Sequence, residues 1–405
     1  MNWHQVKGIL CCVGGIGAMP AYGLGIEFGY HDTEIVARGN AGVASADSAS
    51  AVYYNPAMLG TGGGSEAILT GYALDYHVRH DGAGGHDKLE GGPAVAASAF
   101  TMIQTGEKSA LGFGIYAPFG QKNEWNDDSP LRALATKTEL LYLAGTMAYG
   151  LEVAPGLRVG ASLSAVRSRV DLNRGILIEG DKYTFDADGQ GWGAGGGFSW
   201  EPAEGHRIAG NVRWWSPLEY EGETTTRLLV PLGPVLAGTY VEDAELEVDF
   251  PVEWTLGYAW TPDKNWLFEV NLIYTEWSSF ERFNLKSENS GTTVEPLDWE
   301  DSFKIAAGFR RSFDNGWWLS GGYWFAEKTT PDETFNPRLP DLALHVVSVG
   351  TGYQFGAWTC EFMYHLGYGN SREIRGSAAA LNGTNADGQM TYIAHGISAG
   401  VRYAW

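Results

Sequence analysis

Apolar and polar positions alternate with period two through most of this chain. Between 247 and 261, Phe250, Val252, Trp254, Leu256, Tyr258 and Trp260 share one parity, while Glu253, Thr255, Gly257 and Ala259 share the other. A β-strand sends successive side chains to opposite faces, so this segment presents one apolar face and one polar or small face. The pattern returns at Phe303, Ile305, Ala307 and Phe309 against Ser302, Lys304, Gly308 and Arg310, and again at Ile393, Ile397, Val401, Tyr403 and Trp405. It predicts about fourteen strands: 66–80, 93–105, 109–120, 139–154, 157–175, 189–203, 206–222, 246–262, 265–284, 299–313, 316–328, 342–355, 357–372 and 389–405.

The connections fall into two classes. Pro155-Gly156, Thr261-Pro262-Asp263-Lys264 and Asp314-Asn315-Gly316 are tight, whereas 81–92, 121–138, 176–188, 223–245, 285–298, 329–341 and 373–388 are long and polar. Tight turns at one end and long loops at the other are the layout of an all-β transmembrane antiparallel β-barrel. A soluble sandwich or propeller would also alternate. It would not require aromatic residues near so many strand ends, or a last strand that finishes on Tyr403 and Trp405. Such a C-terminal strand resembles the signal read by the bacterial barrel assembly machinery.

Composition narrows the picture. With 56 Gly and 16 Pro among 405 residues, long helices are disfavoured. No run of eighteen or so apolar residues exists to make a membrane helix. The formal net charge of −21 repels phosphate backbones, which excludes nucleic acid as a partner. At the N-terminus, Lys7 precedes a short apolar run, 8–18, followed by Ala21 and Gly23. Residues 1–23 therefore read as a signal peptide, the alternative being a buried strand. Its removal takes Cys11 and Cys12 and leaves Cys360 alone, so no intramolecular disulfide is expected. Histidines at metal-ligand spacing, a GxSxG elbow and a dinucleotide fingerprint in its strand–helix context are all missing, so neither a metal, a cofactor nor an enzyme is expected.

Between the leader and the first strand lies a segment rich in small residues, 24–64, containing Arg38 and the turn Asn55-Pro56-Ala57. Compact and turn-rich, it suits a chain packed inside something else. With Ala117-Pro118-Phe119-Gly120, Gly189-Gln190-Gly191-Trp192-Gly193, Phe250-Pro251, Thr275-Glu276-Trp277-Ser278, Trp299-Glu300-Asp301-Ser302 and Leu339-Pro340-Asp341 in order, the chain resembles the FadL-type long-chain fatty acid and hydrocarbon outer-membrane transporters. The resemblance covers nearly the whole chain after the leader. It implies a fourteen-stranded barrel (65–405) in the bacterial outer membrane, closed by an N-terminal hatch (24–64) bearing the Asn-Pro-Ala motif.

Three groups of residues are candidates for transport. Pro118 with Phe119 and Gly120 falls at the end of an alternating strand, where proline removes a ladder donor. By resemblance it marks a kinked third strand that opens the lumen sideways; otherwise it simply ends the strand. Leu229, Leu232 and Leu236 belong to a nearly all-apolar external loop, which reads as a landing groove for a hydrophobic ligand, or as a loop packed on its neighbours or dipping into the membrane interface. Arg167, Arg169 and Arg174 are expected to face the lumen, where a guanidinium could hold a carboxylate or pair with Asp171 and hatch acids. The resemblance places a carboxylate-binding Arg at Arg174, but its second basic position falls near Glu295, which leaves room for a neutral ligand.

The function expected is passive uptake of a hydrophobic small molecule: capture by loops, hatch-gated passage and sideways exit. A porin for polar solutes, or an outer-membrane adhesin or lipolytic barrel, is the alternative. The expected surroundings are outer-membrane lipid and lipopolysaccharide, and the expected state is a monomer.

Overall fold

A computed structural model of the chain describes residues 26–89 and 94–405; the expected leader lies outside them. Twenty strand segments form one antiparallel sheet. It closes on itself where β1 (Glu66–Gly82) pairs with β20 (Gly388–Ala404), from Glu66 opposite Ala404 to Gly82 opposite Gly388. Closure leaves the sheet without a first or last free edge, which is the condition for crossing hydrocarbon with strands. No helix among the described residues is long and apolar enough to cross a membrane.

The segments combine into the fourteen staves expected. Nine are continuous: β1, β3 (Ala94–Gly106), β6 (Lys137–Ala154), β7 (Leu157–Arg174), β8 (Lys182–Ala203), β17 (Trp317–Ala326), β18 (Leu344–Phe355), β19 (Trp358–Ile374) and β20. Five are interrupted: β4 with β5 (Ser109–Tyr116, Gly120–Glu124), β9 with β10 (His206–Trp215, Leu218–Leu228), β11 with β12 (Gly238–Val248, Glu253–Asp263), β13 with β14 (Trp266–Thr275, Arg282–Ser287) and β15 with β16 (Gly291–Pro296, Ser302–Ser312). The short β2 (Gly85–Lys88) folds back on the top of β1.

Side-chain parity sorts the faces. Trp254, Leu256, Tyr258 and Phe303 are exposed on the outer wall, while Lys304 is buried inside and Glu253 half-buried. Aromatic pairs ring the outer surface near the tight turns, as in Trp358 with Tyr403 and Trp317 with Tyr353, and again nearer the long loops, as in Trp192 with Trp214. These are the levels at which interfacial girdles sit.

Several loops are shorter than expected. The β10–β11 hairpin pairs as far as Leu228 and Gly238, so loop 223–245 shrinks to 229–237. The β14–β15 hairpin pairs up to Ser287 and Gly291, and β8 begins at Lys182 rather than 189. Above the bilayer both strand faces can meet water. Backbone pairing continues there, but alternation of hydrophobicity no longer marks it, and Thr224, Thr225 and Thr226 read as loop while forming ladder.

Residues 26–61 lie within the barrel, almost all of them buried. They form two short helices, Thr33–Ala37 and Ala51–Tyr54, and a 3-10 turn, Pro56–Thr61. Glycines on the inner wall make the room. A Cβ at Gly160 would stand 2.3 Å from the carbonyl carbon of Pro56, and one at Gly322 would stand 2.1 Å from that of Arg38. Both are closer than atoms can pack, so the segment's backbone rests directly against the wall.

Candidate functional site

The third stave breaks at Ala117-Pro118-Phe119. On one side its two halves stay paired with β6, from Ser109 opposite Leu151 to Tyr116 opposite Ala144, then from Gly120 opposite Leu141 to Glu124 opposite Lys137. On the other side only β4 meets β3, where Ala99 opposite Ile115 is the last pair. Among the described residues no ladder joins β5 to β3. Pro118 has no N–H to offer, and its ring restricts Ala117. The wall therefore opens between β3 and β5.

The N-terminal segment fills the opening. The Phe28 N–H donates to the Pro118 carbonyl at 2.7 Å, and the Gly120 N–H donates to the Ile26 carbonyl at 3.0 Å. Between them, Lys304 on the inner wall donates to the Glu27 carboxylate at 2.7 Å. Phe119 turns inward onto an aromatic cluster, with ring centroids 4.9 Å from Phe250, 5.2 Å from Tyr142 and 6.0 Å from Trp215.

Behind the plugged opening lies an apolar cavity of about 50 Å³ bounded by Ile26, Leu140, Val170, Val248, Phe250 and Phe280. A second cavity of about 100 Å³ sits above it, with Arg174, Tyr183 and Glu295 in its lining. Leu172, Leu246, Phe283 and Arg338 line both, so the two are neighbours along one path. A larger groove of about 720 Å³ between turns 203–206 and 261–265 is polar and open to water, a poor container for a hydrophobic solute.

The expected basic cluster separates. Arg174 reaches the lumen, its guanidinium 4.9 Å from the Tyr183 ring centroid and without an ion-pair partner among the described residues. Arg167 and Arg169 are exposed on the outer wall, contrary to the lumen-facing expectation. Val166, Ser168 and Val170 take the inward parity of β7, so odd-numbered neighbours must point out. Arg169 pairs there with Asp186 at 2.7 Å. The cation that joins Arg174 is Arg338, which sequence reasoning missed. It comes from the long loop between β17 and β18, where no periodicity assigns a direction. The adjacent Leu339-Pro340-Asp341 was its only signal. Arg338 pairs with Glu295 at 2.9 Å, and its loop is pinned to the kinked stave: Asn123 donates to the Arg338 carbonyl at 2.8 Å and the Trp125 indole to the Pro337 carbonyl at 3.0 Å.

The apolar loop stands at the tip of the β10–β11 hairpin. Leu229 and Leu236 are exposed, Leu236 by 71%, and Leu232 is half-buried in a tight turn with Val235.

The N-terminal segment is held by polar contacts to the wall. Arg38 is fully buried and donates to both oxygens of Glu34 at 2.7 and 3.0 Å, with Glu269 of β13 at 3.4 Å. Burial opposes ionisation of Glu34, but the guanidinium groups of Arg38 and Arg310 outweigh it and hold its carboxyl at about 2. Asn55 caps the 3-10 turn, accepting from the Ala57 N–H at 3.1 Å, and donates to the carbonyls of Val43 at 2.9 Å and Phe198 of β8 at 3.1 Å. Such a cap contributes about 1 kcal/mol. Pro56 and Ala57 press on Gly160.

Comparison with known proteins places this geometry. The family model described as outer membrane protein transport protein (OMPP1/FadL/TodX) matches residues 25–405. A long-chain fatty acid transport protein of Salmonella typhi is 22% identical over 347 residues, covering 77% of this chain and 79% of its own. Outer membrane protein P1 of Haemophilus influenzae is 23% identical over 393 residues, covering 83% of each. Among solved structures, a Pseudomonas aeruginosa FadL homologue superposes with a TM-score of 0.84 at 18% identity, over 94% of this chain and 99% of that one. The Pseudomonas putida toluene transporter TodX gives 0.73 at 17% identity, over 93% of this chain and 98% of that one. The chain therefore belongs to the outer membrane transport proteins of the OMPP1/FadL/TodX family, a β-barrel of the outer membrane.

Proposed function

We propose that the protein takes up hydrophobic molecules passively, long-chain fatty acids or hydrocarbons, and releases them sideways through the break in its third stave. The observation that carries this reading is the pairing of Ile26 and Phe28 with Gly120 and Pro118. Backbone groups facing hydrocarbon must be paired, at several kcal/mol for each failure. Here the partner is a plug segment rather than a neighbouring strand, so the seal can be withdrawn while the rest of the barrel stays closed. The apolar cavity ends on Ile26 itself.

In this scheme Leu229, Leu232 and Leu236 collect the ligand outside, and the vestibule beside Arg174 receives it. Residues 24–64 act as the hatch, seated by Arg38 and by Asn55-Pro56-Ala57. Withdrawal of residues 26–28 past Phe119 lets the ligand leave between β3 and β5 into the membrane. No energy source is needed, since the solute moves down its gradient. A porin would need an open polar lumen, whereas residues 26–60 fill this one. We further propose that the barrel works as a monomer among lipid and lipopolysaccharide, its C-terminal strand read by the assembly machinery.

Replacing Pro118, Phe119 and Gly120 together by Val, Thr and Val should restore a regular strand. Uptake of labelled fatty acid or hydrocarbon by cells carrying the variant should fall to the level of cells without the protein, with assembly unchanged. Uptake at the original rate through a barrel shown to be continuous would refute the sideways route.

A further inference from the structure

We infer that Glu295 is a specificity-determining residue of the lumen site: its carboxylate competes with the head group of an anionic ligand for Arg338 and so biases the site towards neutral hydrophobic solutes. The inference rests on the transport reading above and adds to it the group that sorts ligands by charge.

Arg338 stands at the junction. It lines both the upper cavity, with Arg174, and the lower apolar one, with Ile26. A ligand moving inward passes its guanidinium. That guanidinium is nearly buried, with 10% of its side chain exposed, and it donates Nη1–H to Glu295 Oε2 at 2.9 Å. Its Nε is buried with no hydrogen-bond partner among the described residues. A buried donor without a partner is costly, so the group has spare capacity for an acceptor that arrives from the cavity.

Glu295 is the more exposed member of the pair. Its side chain is 34% exposed on the upper hairpin, and its other oxygen accepts from Asn336 Nδ2 at 2.9 Å. Arg338 cannot retreat as easily, because its backbone and that of Pro337 are tied to Asn123 and Trp125. A carboxylate that reaches Arg338 must therefore share it with Glu295 or push Glu295 into water. Sharing sets two anions a few ångströms apart in a half-buried site, where they repel far more than in bulk water. Arg174, across the same cavity and free of an ion pair among the described residues, offsets part of this and keeps anion binding possible. A neutral ligand meets no such competition. It leaves the Arg338–Glu295 bridge intact and fills the apolar volume beneath.

The test compares two probes of equal chain length, decanoate and methyl decanoate, binding to the purified full-length protein near neutral pH. Glu295→Gln keeps the shape and the link to Asn336 but removes the competing charge. Decanoate should bind about tenfold tighter to this variant, with methyl decanoate shifting by less than about twofold. Arg338→Met should weaken decanoate and leave the ester within the same margin. A merely structural role for the bridge would shift both probes together in both variants, which would overturn the inference. Binding of both probes with an unchanged ratio in Glu295→Gln would overturn it as well, and leave the transport reading standing. Binding of neither probe to wild type or variant would overturn the transport reading and the inference with it.

Discussion

His31 sits in the N-terminal segment that we propose as the hatch, where burial decides its chemistry. Its Nε2 lies 3.0 Å from the Phe28 carbonyl, and its ring packs edge-on against Tyr53. Burial, helped by the positive charge of Arg213 and opposed by the hydrogen bond to the Phe28 carbonyl, pushes its pKa from 6.5 down to about 3. A released hatch would let His31 take a proton near pH 6.5, whereas the seated hatch refuses it until about pH 3. The stability of the seated state is therefore complete above pH 6.5 and falls as pH drops through that window, by about 1.4 kcal/mol per unit. Phe28 also donates to Pro118 at the wall break, so the same loosening would reach the proposed sideways exit. Ion leak through reconstituted barrels should rise between pH 6 and pH 4. In His31→Gln, which keeps a donor for Phe28 but cannot titrate, the rise should be largely gone. An identical pH profile in the variant would remove His31 from the account.

At the scale of elements, the β10–β11 hairpin shows how pairing and patterning part company. Its ladder runs beyond the alternation, and it lifts an apolar tip into water. Exposed leucines gain nothing for folding, and in the proposed scheme they collect the ligand. Changing Leu229, Leu232 and Leu236 together to Ser should slow uptake severalfold at low ligand concentration while thermal stability stays unchanged. Full uptake at every concentration would mean that this tip has no part in capture. The third stave makes the complementary point. Pro118 announced a defect in the sequence. Its partner, the strand-like stretch Ile26–Phe28, was illegible there, because two or three residues carry no period.

At the scale of the whole molecule, the wall and its filling are separable. Among the described residues the staves pair with one another, except beside the break, and the N-terminal segment that we propose as the hatch is held by side chains such as Arg38 and Asn55. Deleting 24–57 should leave a barrel that still assembles and resists heat in detergent, with ion conductance raised above that of the full chain. A deleted form as tight as the original would show that the lumen is closed by something other than the hatch. The inner glycines, Gly160 and Gly322 among them, should then face an open lumen.

Period-two alternation, tight turns against long loops and a final aromatic strand determined by themselves that this chain is a barrel of about fourteen staves. Those signals are local, and lipid outside a closed wall enforces them residue by residue. The Asn55-Pro56-Ala57 turn and Pro118 were legible for the same reason, since proline constrains its own backbone wherever it lies. Tertiary structure alone decided that Arg167 and Arg169 face outward, that Arg338 and Glu295 meet beside Arg174, and that Ile26–Phe28 close the wall. A basic side chain on a strand has no period that names its face until its apolar neighbours are placed. Contacts between a loop, a hairpin and an N-terminal segment join residues hundreds of positions apart, and only the closed barrel brings them within hydrogen-bond reach.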